Sequence, residues 1–191
     1  MATATTPDTQ PATGILTYQL DPAHSSAHFS VRHMMIATVR GQFSGLSGTL
    51  KYNPSQPEVS EVDVTIDTNT INTHEAQRDA HLKSADFFDV EKYPTITFRS
   101  TSVTDLRDGR GRVVGNLTMH GVTKEVALEL DEASPEVKDP WGNWRVAFNA
   151  HTKIKRSDYG LTWNAALETG GVMVSDEVNI TLDVQFTRAG Q

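Results

Sequence analysis

Seven histidines, 24 carboxylates and no cysteine set the chemistry this chain could attempt. Metal binding is the first candidate. His24 and His28 have the i, i+4 spacing that converges on a helix, but they lie in a segment that reads as a strand, where His28 and His33 point to opposite faces. His74 and His81 flank a helix-like turn and lack an obvious third ligand, and no HExxH pattern occurs. No metal and no cofactor is therefore expected. Nucleophilic and phosphate chemistry fare no better, since the chain has no G-x-S-x-G elbow, P-loop or G-x-G-x-x-G. The charged pairs Arg78–Asp79 and Arg156–Asp158 are expected to fix a crossover and a turn by ion pairing and capping.

The elements that would carry any site are strands. In "EVDVTIDT" Val62, Val64 and Ile66 share one face, and in "EVNITLDVQF" Val178, Ile180, Leu182, Val184 and Phe186 do the same. "TITF", "GRVVGNLTM", "KEVALEL", "SSAHFSVRH" and "WRVAFNAHTKI" follow, so these seven segments stand among at least eight candidate strands. One apolar and one wet face per strand implies antiparallel pairing, in a sandwich or a closed barrel. The strands show little edge-blunting chemistry, which favours the barrel, because only closure removes edges.

The alternation stops at about residues 70 to 93. Asn72 or Thr73 is the expected N-cap of a helical segment, Ser84 caps a second turn, and Pro94 ends it. A helical crossover over residues 73 to 93 should bury Leu82, Phe87 and Phe88 against the barrel, closing or shaping one end.

At 191 residues the chain suits one domain, residues 15–188, behind a Thr-, Pro- and Ala-rich tail, residues 1–14, that reads as disordered. A net charge of −7 argues against nucleic acid as a partner. No stretch is long and apolar enough for an integral membrane segment. The first residues lack the basic and apolar regions of a secretory signal, so the expected location is cytoplasmic.

Four segments carry a resemblance: "DPAHSSAHFSVRHMMIATVRGQFSGLSGTL", "RDAHLKSADFFDVEKYPTITFRSTSV", "GNLTMHGVTKEVAL" and "IKRSDYGLTWN". In this order they closely resemble the YceI-like, polyisoprenoid-binding family. The resemblance implies an all-β, lipocalin-like, extended antiparallel eight-stranded β-barrel whose apolar pore holds a long isoprenoid or fatty lipid. It also implies a homodimer, and many members of the family are exported.

An eight-stranded barrel can be filled by side chains or hold one slim ligand, so inward residue size decides. Ala27, Gly115 and Ala150 are small residues on the faces of Phe29 and Val31, of Val113 and Leu117, and of Phe148 and Ile154. They would leave a channel, or else accommodate a large neighbour. The candidate ligand-binding positions are therefore Ala27, Phe29, Val31, His33 and Phe43; Val64, Ile66, Ile96 and Phe98; Gly115, Leu117, Met119, Val126 and Leu128; and Phe148, Ala150, Ile180, Leu182 and Val184. His33 and His120 are candidates for a head group, each with the alternative of a histidine held by backbone. The function expected is a module that binds a polyisoprenoid, an isoprenoid quinone or a fatty amide or acid, for sequestration, transport or storage. The alternative is an enzyme acting on such a lipid, but the inward faces offer no convincing proton-transfer pair.

Overall fold

The computed structural model describes residues 14–168 and 170–190. The tail expected over residues 1–14 lies, apart from Gly14, outside the described residues. Strands occupy Leu16–Leu20 (β1), Ser26–His33 (β2), Ala37–Phe43 (β3), Leu46–Tyr52 (β4) and Glu61–Asp67 (β5). After one helix, Ala76–Lys83 (α1), come Thr95–Arg107 (β6), Arg110–Met119 (β7), Val122–Ala133 (β8), Val137–Lys138 (β9), Trp144–Lys155 (β10) and Glu177–Arg188 (β11).

These strands make eight positions in a closed antiparallel ring. β1 and β2 run in one direction along β11, with Tyr18 opposite Arg188 and Ala27 opposite Leu182, so they form one strand interrupted at Asp21–Ser25. β3 and β4 form its hairpin partner, interrupted at Ser44–Gly45. β5, β6, β7 and β8 follow as a meander, β10 joins β8, and β10 pairs with β11 to close the ring. β9 is a short flap on the end of β10.

Strand alternation turns the apolar set of each element inward. One tightly packed region lies where β1, β10 and β11 meet, around Tyr18, Val146 and Phe186, each at most 1% exposed. Tyr18 donates a 2.6 Å hydrogen bond to Glu136, and burial pushes its phenol pKa up, helped by that carboxylate. Arg145 binds Asp21 at 2.6 Å and Asp139 at 2.7 Å, tying together three segments distant in the chain.

The crossover is less helical than its composition suggests. α1 spans Ala76–Lys83 only, and residues 84–93 are hydrogen-bonded turns, as in the 3.1 Å bond from Phe87 N to Ser84 O. The N-cap is Glu75 rather than Asn72 or Thr73, because its carboxylate accepts from the amides of Gln77 and Arg78. Ser84 sits at the helix C-terminus, its Oγ donating to His81 O at 2.7 Å. Phe87 is buried, while Leu82 and Phe88 are partly buried against the barrel core. No helix among the described residues is long and apolar enough to cross a membrane.

Candidate functional site: an apolar lumen

Inside the ring is a cavity of about 740 Å³, within the roughly 300–1,000 Å³ of small-molecule sites. Its walls are the inward faces of the strands. β2 supplies Ala27, Phe29, Val31 and His33; β5 supplies Val64 and Ile66; β6 supplies Ile96 and Phe98. Across the ring, β7 gives Leu117 and Met119, β8 gives Val126 and Leu128, β10 gives Phe148 and Ala150, and β11 gives Ile180, Leu182 and Val184. Phe43 completes the set from β3. The polar side chain among them on β10, Thr152, donates to Ala127 O at 2.8 Å, so its hydroxyl is satisfied by the wall.

Gly115 departs from the expectation, since it does not line the cavity. A Cβ there would stand 2.5 Å from Cζ of Phe98. The small residue makes room for a neighbouring ring rather than for a ligand. Ala27 and Ala150 differ, because both are buried and both face the open lumen.

One end of the lumen is shaped by the crossover. Phe88 meets Phe43 edge-on with ring centroids 5.6 Å apart, and Phe43 lies 5.7 Å from Phe29. Beside them His81, Phe87 and Trp163 form a second cluster, with centroids 4.9 to 5.2 Å apart. Trp163, Leu161 and Met173 line the cavity without having been legible as site residues, because the segment from Leu161 to Val174 has no period.

The charged groups at this end are held by the protein itself. Arg78 Nε donates to Thr73 Oγ1 and its Nη2 to Thr73 O, both at 2.8 Å, while Thr73 N and Oγ1 donate to Asp79 at 2.9 and 2.5 Å. Arg78 and Asp79 thus meet through Thr73 rather than as the ion pair expected. Arg156 does not pair with Asp158 either. Its buried guanidinium donates to the carbonyls of Leu161, Trp163, Val174 and Ser175 at 2.7 to 3.3 Å, and burial lowers its pKa, with Asp176 opposing. It fastens the aperiodic segment to the barrel. Nearby, burial pushes the Tyr159 hydroxyl up to about 12, with the charge of Asp158 adding to the rise.

The histidines are dispersed. His33 lines the lumen, whereas His120 does not; its Nδ1 lies 3.1 Å from Tyr159 O, the backbone-held alternative. His24 pairs with Asp21, His81 with Asp86 and His151 with Asp131, at 2.8 to 2.9 Å.

Comparison with known proteins agrees with this architecture. The chain is 36% identical over 170 residues to Protein YceI of Salmonella newport, covering 88% of this chain and 85% of that protein. The crystal structure of Burkholderia cenocepacia BcnA superposes with a TM-score of 0.76 at 22% identity, covering 87% of this chain and 98% of the other. A polyisoprenoid-binding domain from Saccharophagus degradans, implicated in plant cell wall breakdown, gives a TM-score of 0.65 at 21% identity, covering 91% and 99%. A family profile described as a YceI-like domain matches residues 18–186, nearly the whole barrel, and the chain belongs to that family.

Proposed function

We propose that the lumen binds one long-chain apolar lipid, a polyisoprenoid, the tail of an isoprenoid quinone or a fatty amide or acid, and that the protein sequesters, stores or carries it. The observation that carries this reading is a cavity of about 740 Å³ walled almost wholly by aliphatic and aromatic side chains. A hydrocarbon chain needs no polar partner there. Each methylene moved out of water contributes about 0.8 kcal/mol, so ten would contribute about 8 kcal/mol before the costs of ordering the chain. The neighbour that binds polyisoprenoid has the same fold, which supports a ligand of this class.

The test is mass spectrometry of an organic extract of protein purified without detergent. A long-chain apolar molecule is expected at near-stoichiometric amounts, released without breaking a covalent bond. An extract matching that of an unrelated protein handled identically would refute the reading.

A further inference from the structure

Among the described residues, three hairpin turns between neighbouring strands close on two left-handed residues, and they are not built alike. Asp108-Gly109, between β6 and β7, has φ of 52° and 76°, and His120-Gly121, between β7 and β8, has 52° and 75°. Both end in the glycine such turns favour, since a left-handed backbone costs it nothing. The turn between β2 and β3 places Met34 and Met35 there, at 50° and 60°. Ile36 follows, its amide donating to His33 O at 3.1 Å. Two large side chains thus occupy backbone positions suited to Asn and Gly, and they gain little burial there: Met34, Met35 and Ile36 are 40%, 55% and 78% exposed.

The next segment adds to the same surface. Met34 N donates to Met173 O at 2.7 Å, and His33 bridges to Val174, which brings the 42%-exposed Val172 alongside. Four of the eight exposed large apolar side chains among the described residues therefore gather at this tip. The residues immediately behind them, His33, Val39, Met173 and Val174, line the lumen, so apolar surface runs from the tip into the cavity.

We propose that the Met34–Ile36 tip, with Val172 beside it, is a wedge that docks the crossover end of the lumen onto a lipid bilayer. The tip suits that medium. The amides of Met34 and Ile36 are bonded internally, and the Met35 carbonyl accepts from Arg32 Nη2 at 2.7 Å, so entry into hydrocarbon leaves these groups paired. Arg40 is exposed on the outer face of β3 behind the tip, where a phosphate head group would meet it, while the guanidinium of Arg32 is held between the Met35 carbonyl and Thr38. The acidic groups on the adjoining β11 side are already engaged, Asp176 by Ser157 and Glu177 by Lys153. Docking here would let a chain pass between bilayer and lumen without crossing water, which extends the lipid-binding reading and rests on it only for the cargo.

The experiment is co-sedimentation with vesicles of phosphatidylcholine alone and of an equal mixture with phosphatidylglycerol, alongside the lipid content of the same preparations. The intact protein is expected to bind, more tightly to the mixed vesicles. Met35→Asp combined with Ile36→Asp should weaken binding at least about ten-fold and leave circular dichroism unchanged. The single variant Ile36→Trp should bind at least as well, its added indole shifting to shorter emission wavelength and being quenched by brominated acyl chains. Docking is refuted if the aspartate variant sediments like the intact protein, if the indole stays in water, or if the substitutions convert a dimer to a monomer and leave vesicle binding unchanged. An empty lumen with tip-dependent vesicle binding would instead refute the lipid cargo and leave the docking surface standing.

Discussion

The two ends of this barrel are held by different physics. Where β1, β10 and β11 meet, Tyr18, Val146 and Phe186 are almost fully enclosed, and the Arg145 pairs with Asp21 and Asp139 pin remote segments to the strands. At the crossover end closure comes from side chains of turns and one short helix, with Phe87 buried but Leu82 and Phe88 only partly so. Polar clasps there, through Thr73 and Arg156, bind helix to loop and loop to strand end. The difference teaches where the molecule can give. Opening the Tyr18 end disrupts the ladder and the core together, whereas displacing Phe88 costs part of one ring's burial and leaves the eight-stranded ring intact.

Phe186→Ala tests the rigid end with the largest expected effect. Phe186 is 1% exposed, so the truncation should destabilise the protein by about 3–5 kcal/mol in denaturant unfolding. Phe88→Ala at the opposite end should cost only about 1–2 kcal/mol, because less of its surface is removed from water and solvent can fill part of the gap. The same variant should exchange lumen lipid faster. Equal losses of stability would dissolve the contrast between the ends.

Ala150→Trp addresses the space between the ends. Ala150 faces the lumen from β10, opposite Leu182 on β11. The added indole should take volume that is already open, shifting the stability of delipidated protein by less than about 1 kcal/mol, whereas a packed core loses about 1–3 kcal/mol on overfilling. Lipid content should fall several-fold. A strongly destabilised apo form would mean that the strands close on each other when the lumen empties.

The smallest effect is one of pH. Burial opposes ionisation of Asp139, but hydrogen bonds from Arg145 and from Asn143 outweigh it and hold the pKa at about 2, against an ordinary 3.8. A carboxyl depressed on folding contributes stability that is full above its unfolded pKa and is lost as pH falls through the folded one. Between about pH 4 and pH 2 the intact protein should therefore lose stability to protonation of this group. Arg145→Gln should lower stability at neutral pH and flatten that acid dependence, as read from urea midpoints across the range. An unchanged slope would remove Arg145 from the account.

Legibility followed periodicity. Alternation in β5, β8, β10 and β11 pointed to the inward faces because each strand buries one side, and those residues do wall the cavity. Two kinds of feature escaped. The inward glycine at 115 could not be read as space, since whether a missing side chain leaves a void depends on Phe98, across on β6. Trp163 belongs to a segment held by the Arg156 guanidinium on its carbonyls, and side-chain-to-backbone bonds of that kind leave no repeating signature. The crossover was visible as an interruption, yet its cap was misplaced by up to three residues, because Asn72, Thr73 and Glu75 all have side chains that can accept from a helix N-terminus.

The seam at which β11 joins β1 and β2 sets the order in which this protein can be made. Tyr18 finds Arg188 and Ala27 finds Leu182, so the ring is sealed by contacts between opposite extremes of the sequence. Contacts of such separation form late and make folding slow. On a ribosome adding about 5–20 residues per second, the meander from β4 to β8 emerges with its apolar side uncovered and waits for the last strand. The lumen surface is thus exposed during synthesis before it becomes an interior.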